Sequence, residues 1–378
     1  MKNLACGIAL VACLGSTASA ITRVGESAEL FLTGAISART DDNIFLNDID
    51  EVDDTIFEVA PGLKLAFGQG SQTTGSFEIA ETFIRYLDND GLDDELLSAA
   101  FLTKYDDSKL KLSFDAAYRE LNQSTRDVRG STLIRRDVLD VGADSEINVS
   151  DKSSTGLGVS WNDIDYDASG YIDQEELTIP FNYYYAVSEK LDLSAGFRYR
   201  KTSLAVSAGD STDYYYNVGV RLPVTEKISG FFSVGYNQRS PEVGDDETGV
   251  GAEASLRYQA TEKTYLDLSL ANDYTTSAEG ISQKTFIVSP TLVTKFSAQW
   301  EGSVGFSYQK LEYFSGRNDD YIDGRLGIAY RINENATLRA GYNYRSNDSD
   351  LTFTDSSGRK RSGDFDNNVI SLSADLRF

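Results

Sequence analysis

The twelve residues DYDASGYIDQEE, Asp165 to Glu176, place oxygen donors at the spacing of a calcium loop. Asp165, Asp167 and Ser169 stand at positions one, three and five, Gly170 at the sharp turn, and Tyr171 offers a carbonyl at seven. Asp173 stands at nine and Glu176 at twelve, where a bidentate carboxylate closes the shell. The chemistry open to this pattern is to wrap one hard divalent cation, calcium, in oxygen. Its flanks, GLGVSW and LTIPFNYYY, alternate like strands, whereas a paired EF-hand needs helices. Two readings follow: a lone calcium-binding loop, or a coincidence in an aspartate-rich connection.

The remaining chemical inventory argues against catalysis. The chain has no His, and its two cysteines, Cys6 and Cys13, lie in an N-terminal stretch read below as removed. Serine–histidine hydrolysis, imidazole metal sites and thiol chemistry are then excluded. Carboxylates are numerous enough to supply a glycosidase pair, but none stands in an apolar setting that would raise its pKa. The expectation is a protein that is not an enzyme.

Arginine is the other chemically suggestive residue. Arg119, Arg198, Arg200, Arg221, Arg257, Arg325, Arg339, Arg345 and Arg377 recur opposite apolar residues, mixed with Asp115, Asp192, Glu253, Glu301, Asp323 and Asp375. Guanidinium binds carboxylate in a fork. Two meanings are open, cross-strand ion pairs along a wall or a stripe that attracts an anionic solute such as an acidic sugar polymer. Both need a strand to present the residues.

That strand pattern runs through the chain from Ala28. In LDLSAGFRYR, from Leu191, the residues Leu191, Leu193, Ala195, Phe197 and Tyr199 share one face, and Asp192, Ser194, Gly196, Arg198 and Arg200 the other. ATLRAGYNYR from Ala336 splits the same way. So does the last segment, where Ile370, Leu372, Ala374, Leu376 and Phe378 oppose Ser371, Ser373, Asp375 and Arg377. Short polar turns such as YDDSK, VSEK, VTEK, ATEK and INEN alternate with longer Asp/Asn/Ser/Gly-rich connections. Lys190, Lys227 and Lys263 stand 37 and 36 residues apart, one hairpin per repeat. Propeller blades share the period but use four shorter strands.

Eighteen strands are expected, beginning near Ala28, Thr55, Gly75, Leu96, Leu110, Arg136, Thr155, Leu177, Leu191, Thr212, Ile228, Thr248, Thr264, Gln283, Ala298, Tyr321, Ala336 and Asn367. The first three are the least regular, which leaves sixteen as an alternative. Composition agrees with an all-β chain: 22 Tyr, 19 Phe and 31 Gly against 5 Pro. With 35 Lys plus Arg against 59 Asp plus Glu, net charge −24, a nucleic-acid partner is not expected.

The N-terminus MKNLACGIALVACLGSTASA has Lys2, an apolar stretch from Leu4 to Leu14, and Ala18-Ser19-Ala20. It reads as a signal peptide, residues 1–20, cleaved after Ala20, leaving 21–378 as one domain. Leu10-Val11-Ala12-Cys13 offers a lipoprotein alternative. No later apolar run approaches the roughly 18 residues a membrane helix requires. Strands of about ten to twelve residues with alternating faces cross a bilayer only if the sheet closes on itself. The expected fold is therefore an all-β, closed antiparallel transmembrane barrel with short periplasmic turns and longer extracellular loops, in the bacterial outer membrane. Aromatic strand ends, Tyr105, Tyr118, Tyr199, Tyr236, Tyr258, Tyr330 and Tyr344, would form the interfacial girdles.

The terminal Phe378 resembles the signal read by the outer-membrane assembly machinery. The chain from 25 to 378 resembles a family of outer-membrane β-barrel porins associated with exopolysaccharide gene clusters. Segments carrying that resemblance include DNIFLNDIDEVDDTIFEVAPGLKL from Asp42, AAYRELNQSTRD from Ala116, STDYYYNVGVR from Ser211, TEKISGFFSVGYNQR from Thr225 and NNVISLSADLRF at the end. It implies a barrel passing hydrophilic solutes or an exopolysaccharide by passive diffusion, with no catalytic residues to transfer. The other reading is a structural or adhesive barrel whose acidic loops bind cations and lipopolysaccharide while the lumen stays closed.

Overall fold

The computed structural model describes residues 22–23, 27–128, 132–206, 209–222, 227–354 and 358–378. The 1–20 segment lies outside the described residues, as does most of the VTEK turn. Eighteen long strands of 12 to 16 residues follow one another antiparallel. In chain order they are β1 (Ala28–Asp41), β2 (Asp54–Phe67), β3 (Thr73–Tyr86), β4 (Asp94–Asp106), β5 (Leu110–Asn122), β6 (Arg135–Ser150), β7 (Ser153–Tyr166), β8 (Gln174–Ser188) and β9 (Leu191–Leu204). The second half comprises β10 (Ser211–Leu222), β11 (Ile228–Pro241), β12 (Glu247–Thr261), β13 (Thr264–Thr276), β14 (Ser282–Lys295), β15 (Trp300–Tyr313), β16 (Asn318–Arg331), β17 (Ala336–Ser349) and β18 (Phe365–Arg377). Each expected start falls within three residues of an observed one. The strands run longer than the expected ten to twelve because they continue past the hydrocarbon, which takes about 9–11 tilted residues.

Closure is made by β18 on β1, with Ile36 opposite Ala374 and Ala38 opposite Leu372. Phe378 completes the seam: its amide donates to the Leu32 carbonyl at 2.8 Å, and the Leu32 amide to the Phe378 carbonyl at 2.8 Å. With no open edge, the ladder satisfies the backbone that lipid cannot. Three prolines interrupt it. Between β2 and β3 the pairing jumps from Val59–Phe83 to Gly62–Ala80 around Pro61. Pro180 on β8 and Pro290 on β14 leave matching gaps against β7 and β15, since proline has no amide hydrogen to donate.

Which face is the lumen follows from one contact. Arg200 on β9 donates from Nη1 to Asp273 on β13 at 3.1 Å, four strands further round, and only the interior offers that path. Residues in phase with Arg200 therefore point inward. Those in antiphase, such as Val218, Val304, Ile370 and Leu372, point outward and are exposed, which apolar side chains tolerate when the solvent is lipid. The seven girdle tyrosines all fall in this outward phase. Outward rings also meet across strands, Trp300 with Tyr330 at 4.6 Å and Phe197 with Tyr216 at 5.1 Å between centroids.

One end of the barrel carries turns of two to five residues, the other connections of four to fifteen. Compact apolar packing sits at the long-connection end. Ile44 and Phe45 of the β1–β2 connection pack with Ile56, Ile84 and Tyr86, and Leu46 packs with Tyr321 and Phe365. Such packing folds the connection in over the mouth.

Candidate functional site: lumen and mouth

All nine expected arginines lie in the inward phase, and eight have a carboxylate within ion-pair distance. Arg119 meets Asp140, Arg257 meets Asp267, Arg339 meets Asp375, and Arg221 meets both Asp192 and Glu146 at 2.9 Å. Arg325 meets Asp323 at 2.7 Å and Arg345 lies 3.7 Å from Asp41. Arg198 and Arg200 share Asp273, and Arg200 also meets Asp213 at 2.9 Å. Arg377 lies over the Phe31 ring, 5.2 Å from its centroid. Of the expected acids, Asp115 sits opposite Gly142, Glu253 opposite Ser233 and Ala271, and Glu301 opposite Lys295. Eight of the nine guanidiniums thus have a nearby carboxylate, on a neighbouring strand in most cases, on the same strand for Arg325 and four strands away for Arg198.

The residues of the calcium pattern are not assembled. Asp165 pairs opposite Asp137 near the end of β7 and is exposed on the outer face. Glu176 sits on β8 opposite Asn162 and Thr202, pointing inward with its carboxylate 3.7 Å from Arg200. Asp173 accepts the Tyr166 amide at 2.8 Å, the Asp167 amide donates to the Arg135 carbonyl at 3.0 Å, and Ser169 bridges Tyr171, whose ring stacks on Tyr166. Positions one and twelve thus fall on opposite sides of a wall, because strand side chains alternate. Among the described residues no group of three or more acidic side chains is placed to hold a metal ion.

The filling of the mouth carries no period-two signature in the sequence. The β12–β13 ladder ends at Ala252–Asn272, while β13 and β14 stay paired up to Thr276–Ser282. This hairpin leaves the wall and bends across the lumen. It is held there by a buried cluster. Arg200 donates to Asp273 and the Tyr274 carbonyl, Asn237 donates to Asp273, and Arg239 donates to the Thr275 carbonyl at 3.0 Å and to Ser211 Oγ at 2.6 Å. Arg239 is only 1% exposed. At the hairpin tip the Ala278 carbonyl accepts the Ile172 amide at 3.0 Å. Gly280 beside it has φ +76°, a left-handed backbone that favours glycine.

A second span comes from the β5–β6 connection, whose Arg126 donates to Gln309 on β15 at 2.8 Å, across to the opposite wall. Tyr313 donates to Asp127 at 3.4 Å. The β17–β18 connection adds Arg361, bonded to Asp48 at 2.7 Å. Burial disfavours the charged Asp48 carboxyl, but the Ser362 amide and Arg361 hold it below the usual carboxylate range. Between these spans lies a cavity of about 360 Å³, bordered by Asp48, Arg126, Tyr171, Glu279, Tyr313 and Arg317 among others. Below the mouth the inward ion pairs are wet: Arg257 is 52% exposed and Arg339 53%, so the lumen there has open space.

No curated protein sequence matches the chain. Among solved structures it is similar to OpdK of Pseudomonas aeruginosa with vanillate, at TM-score 0.50 and 11% identity over 94% of this chain and 100% of that one. OpdF of the same organism gives TM-score 0.49 and 12% identity over 93% and 98%. The ferric-catecholate import receptor Fiu of E. coli K12 gives 0.48 and 9% over 94% and 82%. At 11% identity the OpdK likeness speaks for the barrel fold. The family model described as "Putative beta-barrel porin 2" matches residues 34–377. The chain belongs to that family and is a β-barrel porin of the bacterial outer membrane.

Proposed function

We propose that this porin passes small hydrophilic solutes by passive diffusion through a lumen that is wide below and narrowed at the long-connection mouth. The observation that carries this reading is the half-exposed state of inward pairs such as Arg257–Asp267 and Arg339–Asp375 inside a closed wall. Side chains that point into a barrel and remain half exposed border water. A mouth cavity of about 360 Å³ is at the lower end of small-molecule sites. That size favours a small solute over an exopolysaccharide strand. The paired arginines favour neutral or mixed-charge solutes over a polyanion. Phe378 would be read by the assembly machinery, and the acidic connections would meet lipopolysaccharide.

The crossing spans favour one competing reading, a structural barrel whose mouth stays shut. Planar-bilayer recording of refolded protein separates the two. Stable unitary steps are expected; folded, heat-modifiable protein giving no current would select the structural reading. On the channel reading these three arginines, Arg198, Arg200 and Arg339, exert no net pull on anions, since each already has its carboxylate.

A further inference from the structure

The cavity at the mouth is bordered by three arginines. Each belongs to its own acid: Arg126 to Asp127, Arg317 to Asp319 and Arg361 to Asp48. The tip of the in-folded β13–β14 hairpin adds a third carboxylate, Glu279, to the lining beside Asp48 and Asp127, while Asp319 lies fully buried behind Arg317. Glu279 is exposed there, and among the described residues no ion pair within 4.0 Å engages it. Its neighbours on the tip, Ser277 and Ala278, are buried, and the root is fixed by the Arg200–Asp273–Arg239 cluster. The carboxylate is therefore held over the passage by a rigid support. With buried Asp319 counted against Arg317, each arginine has its acid and Glu279 is the excess carboxylate, its charge felt in part by Arg317.

We propose that Glu279 is the charge filter of the channel, making it prefer cations, including organic ammonium solutes, over anions. The inference rests on the channel reading above and reverses the sign that an arginine stripe would give. A carboxylate within about 4 Å of a permeating ion in watery surroundings raises the local cation concentration and lowers the local anion concentration, each by a factor on the order of five. Screening at high ionic strength reduces the effect.

The test is the reversal potential of single channels in a potassium chloride gradient at low ionic strength. Wild-type protein is expected to favour potassium, Glu279→Gln to lose most of that preference, and Glu279→Lys to favour chloride, all with similar unitary conductance. The sequence has no cysteine after Cys13, so Glu279→Cys gives a second arm. A trimethylammonium methanethiosulfonate is added to the open channel of folded, heat-modifiable Glu279→Cys protein; a shift toward chloride is expected within the same recording. Currents whose selectivity is unchanged by both the substitutions and the thiol reagent overturn this assignment and leave the channel standing. Absence of any current from folded wild-type protein overturns the channel reading itself and this proposal with it.

Discussion

At the residue scale the molecule separates charges that support from charges that are accessible. Asp273 accepts from Arg198, Arg200 and Asn237 and gives the bent hairpin its anchor. Removing one partner of a buried ion pair costs about 3–5 kcal/mol because the other is left uncompensated. In Asp273→Ala that cost is expected to appear as release of the hairpin, with the wall intact. Single-channel noise and unitary conductance should both rise, while heat-modifiable migration of the folded barrel stays unchanged. Asp48 gives a pH-dependent counterpart. Its folded pKa lies below the usual value, so its contribution is present above about pH 4 and is lost as pH falls through the folded value. Limited proteolysis should find the β1–β2 connection protected at pH 7 and cut progressively more readily below about pH 4. The arginine face was legible at this scale because period-two alternation fixes direction. Three partners on that face, Asp192, Asp323 and Asp375, were legible with them; Asp273 was not, since it reaches Arg200 only through a bend that no local pattern encodes.

At the element scale each strand is a boundary between two solvents. Val218 lies near the middle of β10, outward and well exposed. Val218→Arg places a charge in hydrocarbon and should lower barrel stability by about 2–4 kcal/mol in denaturant titrations of refolded protein, whereas a charge at an inward position such as Asn217 should cost far less. Strand existence, order and starts were readable because a turn of polar residues and a change of phase mark every reversal. The calcium pattern misled for the same reason. Read as a loop, its twelve residues converge; built as the end of β7 and the start of β8, Asp165 and Glu176 point to opposite sides. The inward fold of the long connections left only faint marks, the apolar residues Ile44, Phe45 and Leu46 within an otherwise acidic stretch.

For the whole molecule, the two ends do different work. The short-turn end is a cylinder lined by half-exposed ion pairs, and the opposite end is crossed by spans from several connections that meet around one cavity. Conductance is therefore expected to depend on the spans more than on the wall: shortening the β5–β6 connection should raise unitary current, and substituting wall pairs such as Arg257 with Asp267 together should leave it nearly unaltered. The meeting of β1 and β18 has a further consequence for biogenesis. The first and last strands to emerge are each other's neighbours, more than three hundred residues apart in sequence. Until the C-terminus arrives, the growing sheet has two raw margins, each a template for the wrong partner. Before β18 pairs with β1 the sheet is thus a sticky ribbon, with both margins open to a second copy of itself.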